Sequence, residues 1–211
     1  MDCPLCAAPD CRPFAEVRGR SYRRCGTCLL TFLDPAQLPT EAEERAEYAL
    51  HRNDPADPGY RRFLSRLVEP LAARLPPGAE GLDFGCGPGP ALSAMMAERS
   101  FPVRDWDPLF RPDPAALGRR YGFVACTEVV EHFHRPAEGF ALLDRLLEPG
   151  GWLGVMTSLL RDDAAFAGWS YIRERSHVSF YRPETMAWLA ARFGWRAEMV
   201  EGNVALFRKP G

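Results

Sequence analysis

Gly81–Cys86 is a short apolar run ending among three alternate glycines, Gly85, Gly87 and Gly89, and it passes directly into a helical stretch, Ala91–Arg99. That order of strand, glycine turn and helix restricts the fold more than any other feature of the chain. The alternation then continues. Phe101–Trp106 and Tyr121–Thr127 read as strands and Pro136–Leu147 as a helix. Pro149-Gly150-Gly151 turns into a strand over Trp152–Thr157, and Pro183–Phe193 is a helix with Gly194 as its C′ residue. Strands alternating with helices predict a doubly wound α/β architecture with a mostly parallel sheet. Trp195–Val200 and Val204–Arg208, joined by Glu201-Gly202-Asn203, predict a closing hairpin that adds an antiparallel strand.

Composition narrows the function classes. The 211 residues are 46% hydrophobic, enough for a real core, and no apolar run approaches the roughly 18 residues of a membrane span. The N-terminus carries Asp2 where a signal peptide needs positive charge, so a cytoplasmic protein is expected. A net charge of −2 argues against a general nucleic-acid binder, although Arg18, Arg20, Arg23 and Arg24 crowd one segment.

Seven cysteines in such a chain do not suggest a disulfide framework. Four of them form the pattern C-x2-C-x18-C-x2-C at Cys3, Cys6, Cys25 and Cys28. That spacing is a zinc-ribbon spacing, and four thiolates fill a tetrahedral Zn²⁺ site, which makes the metal structural. A redox pair would instead follow a strand of an α/β unit, and none precedes either pair. Cys11 is read as a bystander, and Cys86 and Cys126 as small buried residues. Short strands are expected near Phe14–Arg18, Ser21–Arg24 and Leu29–Leu33, with Asp34-Pro35 as the stop. The expected organisation is a zinc-ribbon module over 1–34 and a helical linker or cap over 35–79, followed by the main domain over 80–211. Glu41–Leu50 and the amphipathic Tyr60–Leu75 supply the helices of the cap.

The glycine turn also carries chemistry. Glycines let a ligand approach the backbone, and the following helix start favours an anionic group. Asp107 ends the next strand, where a carboxylate can accept from ribose hydroxyls. A dinucleotide site would need a last glycine in G-x-G-x-x-G, but position 90 is Pro. Instead Asp83-x-Gly85-x-Gly87-x-Gly89 resembles the first motif of class I S-adenosylmethionine-dependent methyltransferases. Val103-x-x-x-Asp107-Pro108, Tyr121 through Glu131-His132, Leu146 through Leu153, and Ser176-His177 through Tyr181 resemble that family's later motifs, in order. The N-terminal cysteines followed by Leu-Leu-x-Phe-x-Asp-Pro resemble the zinc ribbon fused to a subset of its small-molecule enzymes.

The resemblance implies a Rossmann-like sheet and S-adenosylmethionine as cofactor beside the structural zinc. It places Asp83 near the cofactor's amino group, Gly85, Gly87 and Gly89 along the methionine part, and Asp107 on the ribose. One departure stands out. Only 13 residues, three of them Pro, separate Asp107 from Tyr121, so the third strand and its adenine-binding acid should be missing or rudimentary. Either apolar contacts, for example from Phe110, take the place of that acid, or cofactor affinity is weak. For a hydroxyl or protonated amine acceptor a base is needed, and histidine suits neutral pH. Of His51, His132, His134 and His177, His132 is the leading candidate and His177 the reserve, with Glu131 orienting His132 or touching substrate. Trp169, Tyr171, Phe180 and Tyr181 are expected to line the acceptor pocket. His51 and His134 are read as solvent-facing or loop-stabilising. The expected partner is a small-molecule acceptor. An RNA methyltransferase using its ribbon as the nucleic-acid contact, and a non-catalytic zinc-stabilised module, remain the other two readings.

Overall fold

A computed structural model describes residues 1–49, 53–200 and 202–211, so His51 and Glu201 lie outside the described residues. The chain begins with three antiparallel strands, β1 (Cys11–Val17), β2 (Arg20–Cys25) and β3 (Thr31–Leu33). Arg18 and Gly19, both at positive φ (54° and 74°), make the β1–β2 turn, the backbone a two-residue hairpin needs. The Cys25–Cys28 segment makes the β2–β3 turn. Asp34 then stops β3, its carboxylate accepting from the Ala36 N–H of a 3-10 turn.

Helix α1 (Glu41–Tyr48) starts on a Thr40/Glu43 capping box and buries none of its residues. Helix α2 (Pro58–Ala72) is the amphipathic one. Its Leu64, Leu67, Val68 and Leu71 recur at helical spacing and are all buried against the main sheet and helix α3 (Ala91–Ala97). Each such side chain contributes about 1.5–3 kcal/mol by burial. Gly154 in the sheet leaves the space for Leu67, because a Cβ there would lie 2.8 Å from its Cδ1.

The main sheet comprises β4 (Gly81–Phe84), β5 (Val103–Trp106), β6 (Tyr121–Thr127) and β7 (Leu147–Met156), and later β9 (Arg196–Met199) and β10 (Val204–Arg208). Its order is β5-β4-β6-β7-β10-β9, parallel except for β10. This is the doubly wound sheet with an antiparallel hairpin strand that the alternation predicted. It reverses direction of growth at β4, with β5 on one side and β6 on the other, and that switch point is where such sheets bind ligands. The expected loss of the third strand holds as well. Strand β5 is an edge, and the residues after it make only an Asp107–Arg111 bridge and a 3-10 turn over Pro114–Gly118. The Pro149-Gly150-Gly151 segment differs from expectation. It does not precede β7 but bulges within it, with Gly150 at φ 76° and a register shift against β6, because the backbone pairs again on both sides.

The second face of the sheet is covered by α4 (Pro136–Leu146) and α5 (Pro183–Phe193), the latter closed by Gly194 at φ 69°. The ribbon packs into the same core: Cys25, Leu30 and Phe32 lie in one cluster with Phe140, Tyr181, Leu189 and Phe207. Its sheet takes a fourth strand, β8 (Ser179–Phe180), from far along the chain, paired antiparallel to β3.

Candidate active site

The glycine turn lies at the carboxyl end of β4. Gly85 sits at φ 78°, and a Cβ there would fall 2.4 Å from Val129 Cγ2. Gly87, at φ 63°, donates its N–H to Asp107 Oδ2 at 3.0 Å. Gly89 does different work from that expected of it. It is absent from the cleft wall, and a Cβ on it would collide with the Asn53 carbonyl oxygen, so its bareness admits the chain before α2. Asp107 also accepts from the Leu109 and Phe110 N–H groups at 2.8 and 3.0 Å, which anchors the turn after β5. Asp83 is buried. Desolvation, reinforced by the Asp105 and Asp107 charges, pushes its carboxyl up to about 8.

The opposite wall grows from the end of β6. Glu128, at φ 53°, turns the chain into a 3-10 segment over Val130–His132. His132 Nδ1 faces the Ser176 carbonyl at 3.1 Å. A carbonyl only accepts, so Nδ1 carries the hydrogen and Nε2 is the basic nitrogen. His177 Nδ1 donates likewise to the Tyr171 carbonyl at 2.8 Å, and its Nε2 lies 3.3 Å from Glu174. The two imidazoles stand edge to face with centroids 4.8 Å apart. Behind them Glu131 is fully buried, its carboxylate accepting from Thr157 Oγ1 at 3.0 Å and from the Tyr171 hydroxyl. Burial and the neighbouring Glu128 push the Glu131 carboxyl well up, and burial brings Glu128 to about 7. Ligand atoms of Glu131, His132 and His177 lie within 4.8 Å of one another, a second grouping of metal-ligand type.

Between these walls lies a cleft of about 930 Å³. Asp83, Gly85, Gly87, Asp107, His132 and His177 all line it, so residues far apart in sequence meet in one cavity. Glu131 does not line it and reaches the cleft only through its neighbours. Trp106, Leu109 and Phe110 form the wall where the missing strand would have ended, and Phe110 is exposed there. Helix α1 contributes Glu44 and Tyr48 to the wall. Glu44 pairs with His134 at 2.8 Å, and the Tyr48 ring meets His132 edge to face. Thr127 Oγ1 is buried on this wall with no hydrogen-bond partner among the described residues, as expected of a group that meets a ligand. The expected aromatic lining is corrected. Trp169, Tyr171, Phe180 and Tyr181 stand outside the cleft, because Trp169 and Phe180 pack with Phe166 under the ribbon and Tyr181 is spent on the Val130 carbonyl. Sequence reasoning missed Glu128 and Glu174. Glu128 had a signal, a polar residue just past a strand's carboxyl end, whereas nothing marked Glu174.

In the ribbon, one sulfur each of Cys3, Cys6, Cys25 and Cys28 lies within 4.8 Å of the others. The Cys3–Cys28 and Cys6–Cys25 separations are 3.5 and 3.4 Å. Tetrahedral Zn–S bonds of about 2.3 Å would set sulfurs about 3.8 Å apart, so the group fits Zn²⁺. Donation from Cys28 already holds the Cys3 thiol down to about 5. Cys11 stands outside the group, its thiol directed to the Ala8 carbonyl.

A family model for the methyltransferase domain matches residues 57–200. The chain belongs to that family. It is a class I S-adenosylmethionine-dependent methyltransferase, in agreement with its sheet order and its glycine turn. This methyltransferase is 28% identical over 159 residues to the ubiquinone biosynthesis O-methyltransferase of Thiobacillus denitrificans, covering 59% of this chain and 68% of that one. Among solved structures it superposes on the 1,6-didemethyltoxoflavin N1-methyltransferase of Burkholderia thailandensis, which holds 1,6-didemethyltoxoflavin and S-adenosylhomocysteine. That match has TM-score 0.59 and 16% identity and covers 95% of this chain and 100% of that one. Streptomyces venezuelae DesVI matches with TM-score 0.54 and 16% identity over 82% of this chain and 99% of that one. Among the described residues no helix is long and apolar enough to cross a membrane.

Proposed function

We propose that this methyltransferase transfers a methyl group to a small-molecule acceptor in the cytoplasm, with His132 as the base and the Cys₄ zinc purely structural. The observation that carries the reading is His132 itself. Its Nδ1 is tied to the Ser176 carbonyl, and the ring borders the same cleft as the glycine turn. The acceptor class is supported by the cleft, whose 930 Å³ is near the top of the range of about 300–1,000 Å³ for one ligand and leaves space for a second small molecule. The small-molecule acceptors named for the toxoflavin and ubiquinone enzymes point the same way.

The cofactor, when bound, supplies a sulfonium methyl already activated for displacement. Asp83 would hold its amino cation, Asp107 and the Gly87 turn its ribose side, and Phe110 with Trp106 its adenine. His132 Nε2 takes the acceptor's proton, and the Tyr48 ring, edge to face with the imidazole at 5.2 Å between centroids, packs against that base. His177 has both ring nitrogens engaged and orients the wall it belongs to. Calorimetry with S-adenosylhomocysteine, followed by label transfer from radiolabelled cofactor across a metabolite panel, tests the reading. Binding with label in a small molecule supports it. Label recovered only in RNA would overturn the acceptor class, and no binding would overturn the cofactor site.

A further inference from the structure

The loop that closes the acceptor side, residues 170–178, is held from two directions. On the cleft side, His132 Nδ1 donates to the Ser176 carbonyl and the Val178 N–H donates to the Glu131 carbonyl. On the far side stands Arg20, the first residue of β2 in the ribbon. One of its terminal nitrogens donates to the Ile172 and Glu174 carbonyls at 3.5 and 3.4 Å. The other donates to the Arg175 and His177 carbonyls at 3.0 and 3.2 Å. No other side chain in the described residues is bonded to four carbonyls of a single loop.

Those carbonyls belong to a stretch with little regular structure of its own, a 3-10 turn over Ser170–Arg173 and then irregular backbone. The Glu174 carbonyl also accepts from the His177 N–H at 3.3 Å, and the guanidinium gives each of the four carbonyls a side-chain donor. A planar guanidinium with two donor-bearing ends can span them, whereas the single ammonium of a lysine cannot. The bracketed carbonyls flank Ser176, whose own carbonyl sets the His132 ring. They also fix the backbone of His177. The ribbon reinforces the grip through the β3–β8 pairing and the Leu33 N–H donation to the Val178 carbonyl. The Cys25–Cys28 turn joins β2 to β3, so the cysteine knuckle sets the register of the strands that hold the loop.

We propose that Arg20 is a positioning residue through which the zinc ribbon fixes the 170–178 loop, and with it the orientation of His132 and His177. The ribbon thereby serves the acceptor half of the cleft and leaves the cofactor half, built on β4 and β5, to itself. The catalytic meaning of the clamp rests on reading His132 as the base; the clamp does not.

Arg20→Met and Arg20→Lys, each loaded with zinc, test this by hydrogen exchange and by NMR of the imidazole N–H protons. In both variants the 170–178 amides should exchange about tenfold faster or more, as expected when a local opening becomes easier. The His177 Nδ1–H signal should broaden into exchange with water, while amides of 81–92, zinc content and S-adenosylhomocysteine affinity stay as in the parent. Unchanged loop exchange in either variant would overturn the clamp, and so would a fall in cofactor affinity in step with the loop's release. Should neither variant fold, the parent protein stripped of metal gives the same comparison. Loop amides that stay protected after 20–33 have lost protection would overturn the proposal. A parent protein that fails to bind S-adenosylhomocysteine would sink the cofactor reading and leave the exchange result standing.

Discussion

Asp83 shows how a single residue's surroundings set its chemistry. Its carboxyl is buried at the end of β4 and pushed up to about 8 by desolvation, with Asp105 and Asp107 adding repulsion. The unfolded chain ionises this group in the ordinary carboxylate range. Between that range and about 8 the folded state therefore holds more protons, and raising the pH lowers stability until the loss is complete above 8. Asp83→Asn should flatten that decline in pH-dependent thermal denaturation. A cation set against Asp83 favours its charged form, so S-adenosylhomocysteine binding at pH 7 should release close to one proton, read from calorimetry in buffers of different ionisation enthalpy. Binding with no proton release by the parent would place the amino group elsewhere. His132 makes a different prediction. His132→Ala should lower turnover by about 10²–10⁴ while S-adenosylhomocysteine affinity holds. If His177→Ala has that effect instead, the roles are exchanged. Turnover that a chelator abolishes while the ribbon keeps its zinc would mean that the Glu131, His132 and His177 group works by holding a cation.

At the scale of elements, the short segment after β5 is the main departure from a full doubly wound sheet. With β5 at the edge, no further strand among the described residues pairs beyond it, and Trp106, Leu109 and Phe110 form the cleft wall there. Trp106 is stacked on Phe84 with centroids 4.6 Å apart, so its plane is already fixed, whereas Phe110 is exposed and available to a ligand. Phe110→Ala should weaken S-adenosylhomocysteine binding by about 0.5–1.5 kcal/mol beyond the lost area, and Phe110→Tyr should retain it. Equal affinity in the alanine variant would show that the adenine lies off this wall.

At the scale of the whole molecule, the ribbon and the sheet share a core. Cys25, Leu30 and Phe32 pack with Phe140, Tyr181 and Phe207, and Tyr22 meets Phe166 and Phe180 edge to face. Purified protein should contain close to one zinc per chain by elemental analysis, and Cys25→Ser should lose it. Metal release should then expose 11–33 and 166–181 together, because β3 and β8 are one sheet, while 121–127 stay protected until global unfolding. Exchange confined to 1–34 would show that the two parts are energetically separate.

Much of this was legible in the sequence because its signals are local. The glycine turn, the alternation from Gly81 to Met156, the paired cysteines and the proline-broken stretch after Asp107 each state a backbone requirement within a few residues. The positions of Asp83, Gly87, Asp107 and His132 around one cleft follow from parallel strands ending on the same edge. What only the tertiary structure decided depends on contacts between distant segments. Gly89 is bare for Asn53, Glu131 is buried behind Tyr171 and Thr157, and Trp169 and Phe180 pack with Phe166 while Tyr171 spends its hydroxyl on Glu128 and Glu131. Arg20 reads in sequence as one of several surface arginines, yet its guanidinium meets a loop some 150 residues away. No local pattern encodes such a meeting, because it is set by the sum of packing that brings the ribbon sheet and β8 together.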